Sequence, residues 1–298
     1  MKLTHFLLAL AVMAIWGTNF VVIAWGLESF PPLMFAALRF FFSAVPALFF
    51  IKRPATPWRY LAAYGVLLGA GQFGLLFLAM HGHITPGLAS LIVQMQVIFT
   101  IALSVAMFRE RVPAAALVGT TIAVAGLATV GAHLDATVTP LGLALILCAA
   151  FCWAGANVTV KLAARRGARF NMLAFIVWSS IFAVPALVLL SLAFEGPRAF
   201  ASISAASMGA WAAVAWQAVG NTLFCFAAWS WLLAKYDAAT VTPYALLIPV
   251  FGMGASALML GEPMPPWKLV AGVMVIGGIA SPSINAEAPM PNTGIRRA

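Results

Sequence analysis

Apolar stretches of about 20 residues follow one another along almost the whole chain and are separated by short polar joints. They cover residues 5–26, 33–51, 60–80, 87–108, 113–131, 139–160, 171–194, 208–234, 239–260 and 266–284. About 20 helical residues cross the ~30 Å core of a bilayer, whereas the strands of a transmembrane barrel give alternating segments of about ten residues. The pattern therefore predicts an all-α integral membrane protein with ten transmembrane helices.

Composition and charge indicate the same class. Of the 298 residues, 64% are apolar and 8% are charged, whereas a soluble domain carries roughly 25% charged residues. The net charge of +9 does not indicate nucleic-acid binding, because the basic residues lie in the joints, where they fix membrane topology. The expected partner of this surface is a lipid bilayer, and no nucleic acid is expected.

The basic residues also predict an orientation. With the N-terminus in the cytoplasm, thirteen Lys and Arg residues fall on the inner side and only two, Arg198 and Lys268, fall outside. Such a bias marks the cytoplasmic face, so both termini are predicted to be cytoplasmic. The remaining basic residue, Arg39, lies inside the second helix and is predicted to be the one buried charge.

Two short patterns recur along the chain. The sequence Ala-Val-Pro-Ala-Leu at residues 44–48 returns at residues 183–187, which is 139 residues further on. Glu110 with Gly126 returns as Glu262 with Gly278, which is 152 residues further on. The chain is therefore predicted to contain a structural repeat.

The repeat divides the chain into a first five-helix unit over residues 1–135 and a second over residues 136–285. Because five is odd, the second unit must face the opposite way, which gives two inverted five-helix repeats. Inverted repeats are typical of transporters, with the substrate site near the membrane midplane between the repeats. Residues 286–298 are predicted to form a disordered cytoplasmic tail.

Uncharged polar residues within the helices are the candidate substrate ligands. Gln217 and Asn221 are four residues apart and share a helix face, while Gln96 and Thr100 form a second polar stripe beside Ser90 and Gln94. The alternative role of such amides is hydrogen bonding between helices, worth about 0.6 kcal/mol on average. Taken as a set, they predict a polar central cavity with these substrate-binding candidates: Asn19, Gln72, Gln94, Trp153, Asn157, Gln217, Asn221 and Tyr244.

Acidic residues are missing from the predicted spans, since all seven lie in joints or in the tail. A proton- or sodium-driven antiporter usually holds its coupling ion on an embedded carboxylate, so transport is predicted to be facilitated. Cys148 and Cys152 have no His or acidic neighbour and predict neither a metal site nor a disulfide. No cofactor, metal or catalytic residue is expected, because an intramembrane enzyme needs a constellation of ionisable groups.

Arg39 is open to two interpretations. It lies about six residues, or ~9 Å, from the outer end of its helix, where it can bind a substrate carboxylate. It can equally reach the headgroups or tie its helix to a neighbour, and the structural role is favoured.

Small residues on the fifth and tenth helices, among them Gly119, Gly126, Gly272 and Gly278, predict tight helix packing or a dimer face. The chain is accordingly expected to be a monomer or a homodimer.

The chain resembles the EamA-type permeases of the drug/metabolite transporter superfamily over nearly its whole length. The resemblance rests on three features: Trp16-Gly17-Thr18-Asn19 with Trp153-Ala154-Gly155-Ala156-Asn157; Pro31-Pro32-Leu33-Met34 leading to Leu38-Arg39-Phe40; and the Glu110 and Glu262 joints followed by Gly119/Gly126 and Gly272/Gly278. The second repeat departs from the pattern at Gly272, which lies one residue later than its counterpart in the first repeat predicts. Within that superfamily it is most similar to the EamA and YddG types of bacterial amino-acid exporter.

The resemblance implies a plasma (inner) membrane permease that exports amino acids or related small metabolites through a cavity exposed to alternate sides. A multidrug or toxic-metabolite exporter of the same fold is the alternative, and it predicts a cavity dominated by aromatic side chains.

Overall fold

A computed structural model describes residues 1–110, 112, 114–135, 137–168, 171–236 and 238–285. Its principal helices are α1 (Leu3–Leu27), α2 (Pro32–Leu48), α3 (Trp58–Met80), α4 (Pro86–Phe108), α5 (Ala114–Gly131), α6 (Pro140–Arg165), α7 (Met172–Phe194), α8 (Met208–Lys235), α9 (Thr242–Leu260) and α10 (Pro266–Asn285). A short helix, Arg198–Ala205, precedes α8, and a single turn, Ala238–Val241, precedes α9. The described residues contain isolated β-bridges but no strand, which confirms the all-helical prediction.

Six helices are long and apolar enough to cross a membrane: α1, α3, α4, α6, α7 and α9. The short helix Arg198–Ala205 and α8 meet at 101° and together count as a seventh. Shorter apolar helices are present in α2, α5 and α10. The protein is thus a multi-pass helical membrane protein.

Several helices begin at proline or end at a residue whose backbone is left-handed. Proline occupies the first turn of α2, α4 and α6, where its missing N–H has no helical partner to lose. At the other ends, α4 and α9 both stop at a residue with left-handed backbone, Arg109 (φ 53°) and Gly261 (φ 66°). The joints predicted from sequence therefore coincide with conformational stops.

Contacts between loops show which helix ends lie on the same side of the protein. The Thr85 N–H donates to the Thr137 carbonyl at 3.0 Å, and Ser29 Oγ lies 3.5 Å from Ser207 Oγ. These loops lie on the same side as Glu262, and we call that side the Glu262 end. His5 Nδ1 lies 2.5 Å from the Tyr236 hydroxyl at the opposite side, which we call the N-terminal end.

Small residues join α5 to α10 inside the chain. A Cβ on Gly126 would lie 2.9 Å from Met274 Cβ, and a Cβ on Gly278 would lie 2.7 Å from the Ala123 nitrogen. The predicted tight packing therefore takes place between α5 and α10 of one chain, so this stripe of small residues is covered internally. The homodimer stays a prediction.

Four of the described helices depart from α-helical geometry: α3 and α4 in the first half of the chain, and α8 and α9 in the second. Nine-residue π-helical segments interrupt α3 at Val66–Gly74 and α8 at Trp216–Phe224. Tighter 3-10 turns occupy Val93–Met95 in α4 and Thr242–Leu246 in α9. π-Helical turns are rare and frequent at functional sites, so α3 and α8 mark the region in which to look for one.

Candidate functional site

A polar stripe runs between α4 and α6. Asn157 Nδ2 of α6 donates to Gln96 Oε1 of α4 at 2.9 Å and to Thr100 Oγ1 at 3.3 Å. Further along, Lys161 Nζ donates to Ser104 Oγ at 3.3 Å. Asn157, Gln96 and Thr100 are half-buried, so the structure assembles one predicted ligand, Asn157, with the second polar stripe of α4.

Burial changes abruptly within α4 and α9. In α4 residues 87–95 are buried and residues 96–101 are half-buried, and the change falls directly after the 3-10 turn. In α9 residues 243–247 are half-buried, whereas Ile248, Gly252 and Ser256 beyond them are buried. The interior is therefore closed toward the Glu262 end and less covered toward the N-terminal end.

Four predicted amides are buried with hydrogen-bonding capacity to spare. Asn19 Oδ1, Gln72 Oε1 and both side-chain polar atoms of Gln217 have no hydrogen-bond partner among the described residues. These side chains are at most 4% exposed, and an unmade bond in such surroundings costs about 1–3 kcal/mol. They are thus suited to a polar ligand that enters between the helices. Gln94 Nε2 is equally unpartnered, on the buried half of α4.

Arg39 connects the two π-helical segments. Its Nη2 donates to Thr222 Oγ1 of α8 at 3.3 Å, and its guanidinium carbon lies 3.6 Å from the centre of the Phe73 ring of α3. Thr222 Oγ1 in turn donates to the Gln217 carbonyl at 2.8 Å. Arg39 is 1% exposed, and its Nε and Nη1 have no partner in the described chain. The guanidinium therefore ties α2 to α3 and α8 and keeps two donors free.

An aromatic group lies beside Asn221. Trp16 Nε1 of α1 donates to the Asn221 carbonyl at 3.2 Å, and the Trp16 ring lies 5.4 Å from Phe226 and 5.6 Å from Trp229. Trp153 and Tyr244 are half-buried on α6 and in the 3-10 turn of α9. None of the described hydrogen bonds or ring contacts links these last two to another predicted ligand. Tyr244 instead contacts Phe6, with ring centres 5.7 Å apart.

Two surface cavities lie away from these residues. A cavity of about 190 Å³ at the N-terminal end is lined by Tyr60, Ala163 and Arg166 among others. A second, of about 310 Å³, lies on the outer face of α1 and α9 against Thr18 and Phe251. The latter is mostly apolar and suits a lipid chain better than a polar solute.

The prediction that Arg39 is the one buried charge is wrong. Lys268 and Glu262 are 1% and 7% exposed, and their Nζ and Oε1 atoms lie 3.0 Å apart. Glu262 lies in a polar joint and Lys268 in the first turn of α10, where solvent exposure was expected, but the joint folds back against the start of α4. The contacts that bury Glu262 come from Thr85 and Gly87, far away in the chain, so no local pattern signalled them.

Glu195 is a second acidic residue with a structural partner that sequence inspection missed. Its carboxylate accepts from the Leu33 N–H at 2.6 Å and from the Met34 N–H at 3.1 Å, at the start of α2. Since α2 begins with proline and has no side-chain cap of its own, Glu195 supplies the missing acceptor.

Long apolar helices packed around buried amides form a multi-pass membrane protein with a polar interior. The chain belongs to the EamA-like transporter family, which matches residues 3–132 and 140–282. The resemblance inferred from the helix motifs is thereby confirmed.

Relatives of known name support this assignment. The chain is 36% identical over 275 residues to a "Probable amino-acid metabolite efflux pump" of Salmonella typhimurium, covering 91% of this chain and 92% of the relative. It is 34% identical over 279 residues to the protein of the same name in Escherichia coli K12, with the same coverage. A "Probable terminal-alkyne amino-acid exporter" of Streptantibioticus cattleyicolor is 24% identical, covering 74% of this chain and 68% of the relative.

The fold is also found among solved structures. One of them, a crystal structure, superposes with a TM-score of 0.65 at 16% identity and covers 96% of this chain and 98% of its own.

Proposed function

We propose that this chain exports amino acids or related small metabolites across the plasma (inner) membrane by facilitated alternating access. The substrate class is supported by the relatives named as amino-acid efflux pumps, at 34–36% identity over 91% of the chain. The observation that carries the route is the half-buried stripe of Asn157, Gln96 and Thr100, since uncharged amides and hydroxyls accommodate both charges of a zwitterion.

Ten transmembrane helices are part of this proposal. The shorter helix α2 has 17 residues, which corresponds to roughly 26 Å at 1.5 Å per residue. A shortfall of a few ångströms against a ~30 Å core costs little, because the bilayer thins or flanking residues adjust. α5 and α10 pack on each other through glycines, and both carry exposed apolar side chains such as Leu117 and Val273, which suits a pair that faces lipid.

Inverted repeats over residues 1–135 and 136–285 are supported by the recurrence of irregular geometry. The π-helical segments occupy corresponding helices, α3 and α8, and the 3-10 turns occupy the next pair, α4 and α9. The left-handed stops at Arg109 and Gly261 are 152 residues apart, the same separation as Glu110 and Glu262. With both termini cytoplasmic, the Glu262 end faces outward and the cavity opens inward.

The proposed cavity binds substrate through Asn19, Gln72, Gln94, Trp153, Asn157, Gln217, Asn221 and Tyr244. For Arg39 we favour a positioning role, because its contacts hold two helices together and its side chain is 1% exposed.

Facilitated transport is favoured because the described parts of α1–α10 hold no Asp or Glu within the membrane core. The buried carboxylate of Glu262 lies at a helix end and is already neutralised by Lys268. A proton- or sodium-coupled carrier usually holds its coupling ion on a carboxylate within the membrane.

Counterflow into proteoliposomes tests the proposal. Vesicles preloaded with a mixture of amino acids are assayed for uptake of labelled threonine, methionine and phenylalanine, with and without a pH gradient. Uptake that does not depend on the gradient and is lost in Asn19→Leu and Gln217→Leu is the expected result. Uptake that requires the gradient would overturn the facilitated mechanism.

A multidrug or toxic-metabolite exporter is the second candidate. The aromatic group of Trp16, Phe226 and Trp229 favours it, since aromatic faces attract organic cations. Efflux of a cationic dye from the same vesicles, with no movement of amino acids, would establish it in place of the first.

A further inference from the structure

At the Glu262 end, the Glu262 carboxylate accepts hydrogen bonds from α9, from the start of α4 and from the start of α10. Its carboxylate accepts from Thr85 Oγ1 at 2.5 Å, from the Gly87 N–H at 2.9 Å and from Lys268 Nζ at 3.0 Å. Ser256 of α9 donates a fourth bond. A carboxylate that connects α9, the start of α4 and the start of α10 holds those helix ends together.

The contact with α4 is a helix cap supplied from the other half of the chain. Thr85 precedes α4 and makes no capping bond of its own, so the first N–H groups of the helix need an acceptor. Glu262 supplies it, and its negative charge lies against the positive end of the helix dipole. A Cβ on Gly87 would lie 2.8 Å from Glu262 Oε2, so glycine at this position permits the approach.

The charge on Glu262 is balanced locally. Burial opposes ionisation, but the hydrogen bonds from Ser256, Thr85, Gly87 and Lys268 outweigh it and hold the pKa of the Glu262 carboxyl below its ordinary value. Lys268 Nζ also donates to the Pro263 carbonyl at 3.1 Å. A buried pair is strong only when its remaining hydrogen bonds are made, and here most of them are.

Three helices pack closely beneath Glu262. A Cβ on Gly252 of α9 would fall within 2.5 Å of Ser90 Cβ of α4, and a Cβ on Gly17 of α1 would fall within 2.9 Å of the Gly252 nitrogen. Glycines at these two positions therefore let the backbone of α9 pack against the backbone of α1 and against the Ser90 side chain of α4. Residues 87–95 of α4, between Glu262 and the end of the 3-10 turn, are all buried.

Glu110, the counterpart of Glu262 at the N-terminal end, has different contacts. It pairs with Lys161 at 2.5 Å and with Arg165, both on α6, and these side chains are 35–47% exposed. Ser104 precedes Glu110 by six residues, as Ser256 precedes Glu262. Two equivalent acids therefore have a buried, helix-capping role at one end and a half-exposed role at the other.

We propose that Glu262 is a latch that keeps the cavity closed at the Glu262 end, and that outward opening requires its carboxylate to leave the start of α4. The proposal rests on the alternating access and the orientation put forward above. Nothing else in the described structure joins α4 to α9 at this end by a charged group. Loss of the carboxylate charge, or of its approach to Gly87, should shift the protein toward an outward-open state.

Thiol labelling at Ser90 tests the latch. Ser90 is fully buried below Glu262, so a Ser90→Cys reporter is introduced after Cys148, Cys152 and Cys225 have been replaced by alanine. Whole cells are treated with a membrane-impermeant maleimide, and the labelling rate is compared between the reporter alone and the reporter combined with Glu262→Gln or Gly87→Ala.

Two matched controls isolate the effect. Glu195→Gln removes a carboxylate that caps a different helix, α2, at the same end, and Glu110→Gln removes the equivalent carboxylate at the other end. Labelling that rises at least fivefold with Glu262→Gln and Gly87→Ala, and stays within twofold in both controls, is the expected result.

Unchanged labelling in both Glu262→Gln and Gly87→Ala would overturn the latch, whatever the transport assay shows. Because Gly87→Ala keeps every charge, it remains informative if Glu262→Gln fails to reach the membrane. Faster labelling in a protein that moves no amino acid would leave the latch standing and remove the proposed substrate class. Amino-acid counterflow with unchanged labelling would leave the proposed substrate class standing and remove the latch.

Discussion

The Arg39 guanidinium carbon lies 3.6 Å from the centre of the Phe73 ring, while its Nη2 reaches Thr222 at 3.3 Å. One planar cation thus touches both π-helical segments of the protein. A guanidinium stacks on an aromatic face and donates in its own plane at the same time, which a lysine ammonium cannot do.

Arg39→Lys is expected to slow transport of every substrate to a similar degree, by about tenfold, because a charged hydrogen bond is worth about 1.5–3 kcal/mol. The measurement is initial counterflow of an amino acid and of its amide, which lacks the carboxylate. Arg59→Lys, at the exposed start of α3, is the control. A loss confined to the carboxylate-bearing substrate would show instead that Arg39 binds the substrate.

Asn157→Leu is expected to raise the KM for amino-acid counterflow by about tenfold, because it removes both bonds to α4 and leaves Gln96 Oε1 with only the long bond from Thr100 Oγ1 at 3.5 Å. Thr159→Val is the matched control, since Thr159 bonds only to the Gly155 carbonyl of its own helix. Equal effects of the two substitutions on KM would speak against the α4–α6 stripe as the substrate route.

Gly278→Ala is expected to destabilise the purified protein, because its Cβ would lie 2.7 Å from the Ala123 nitrogen and force α5 and α10 apart. Overpacking of this kind costs about 1–3 kcal/mol. The neighbouring Gly277 has open space around it, so Gly277→Ala should leave the melting temperature unchanged. A melting temperature for Gly278→Ala equal to that of the parent would contradict the close α5–α10 contact.

Acid should release the latch. The pKa of Glu262 is below its ordinary value while the latch is closed, so protons bind more tightly to the open form. The stabilisation is therefore complete above the ordinary carboxyl pKa of about 4.3 and is lost as the pH falls from there toward the lower, closed-state value. Because maleimide reacts with the thiolate, the labelling rate of the Ser90→Cys reporter is divided at each pH by that of an exposed Ser204→Cys reporter. This ratio should be constant from pH 8 to 5.5 and should rise below about 4.5.

Neighbouring charged groups provide the contrast for that experiment. Lys268 lies against Glu262, and Asp135, whose pKa is lowered by hydrogen bonds from Thr137, lies near Lys268. His133 stacks on Trp267 at 4.8 Å, and His81 and His83 lie in the adjoining loop. A rise in the labelling ratio between pH 7.5 and 6 would contradict the role of Glu262.

Much of the helical framework was predictable because lipid imposes length and apolarity on every span. The joints followed from proline and glycine, and the family followed from the motifs around Trp16, Trp153 and Arg39. The environment of each polar side chain was harder to predict. Gln94 and Gln96 are two residues apart, and the 3-10 turn between them, which no residue pattern specifies, decides which one faces the half-buried side.

Glu262 shows a second kind of limit. Its position in a joint of Gly, Pro and charged residues predicts exposure, because joints usually lie in water or headgroups. The burial arises from Thr85 and Gly87, which lie about 175 residues earlier in the chain. Contacts over such distances depend on how helices assemble, and one sequence contains no record of that.

The π-helical segments of α3 and α8 have a mechanical consequence. Each turn that closes at i+5 holds about one residue more than an α-helical turn, in which successive residues are about 100° apart around the axis. If the boundary of such a segment moves along the helix, the residues it passes rotate by roughly that angle, while the two ends of the helix stay anchored. Gln72, Gln217 and Asn221 lie inside these segments, so the protein has a means of turning its amides toward or away from a solute without displacing a whole helix.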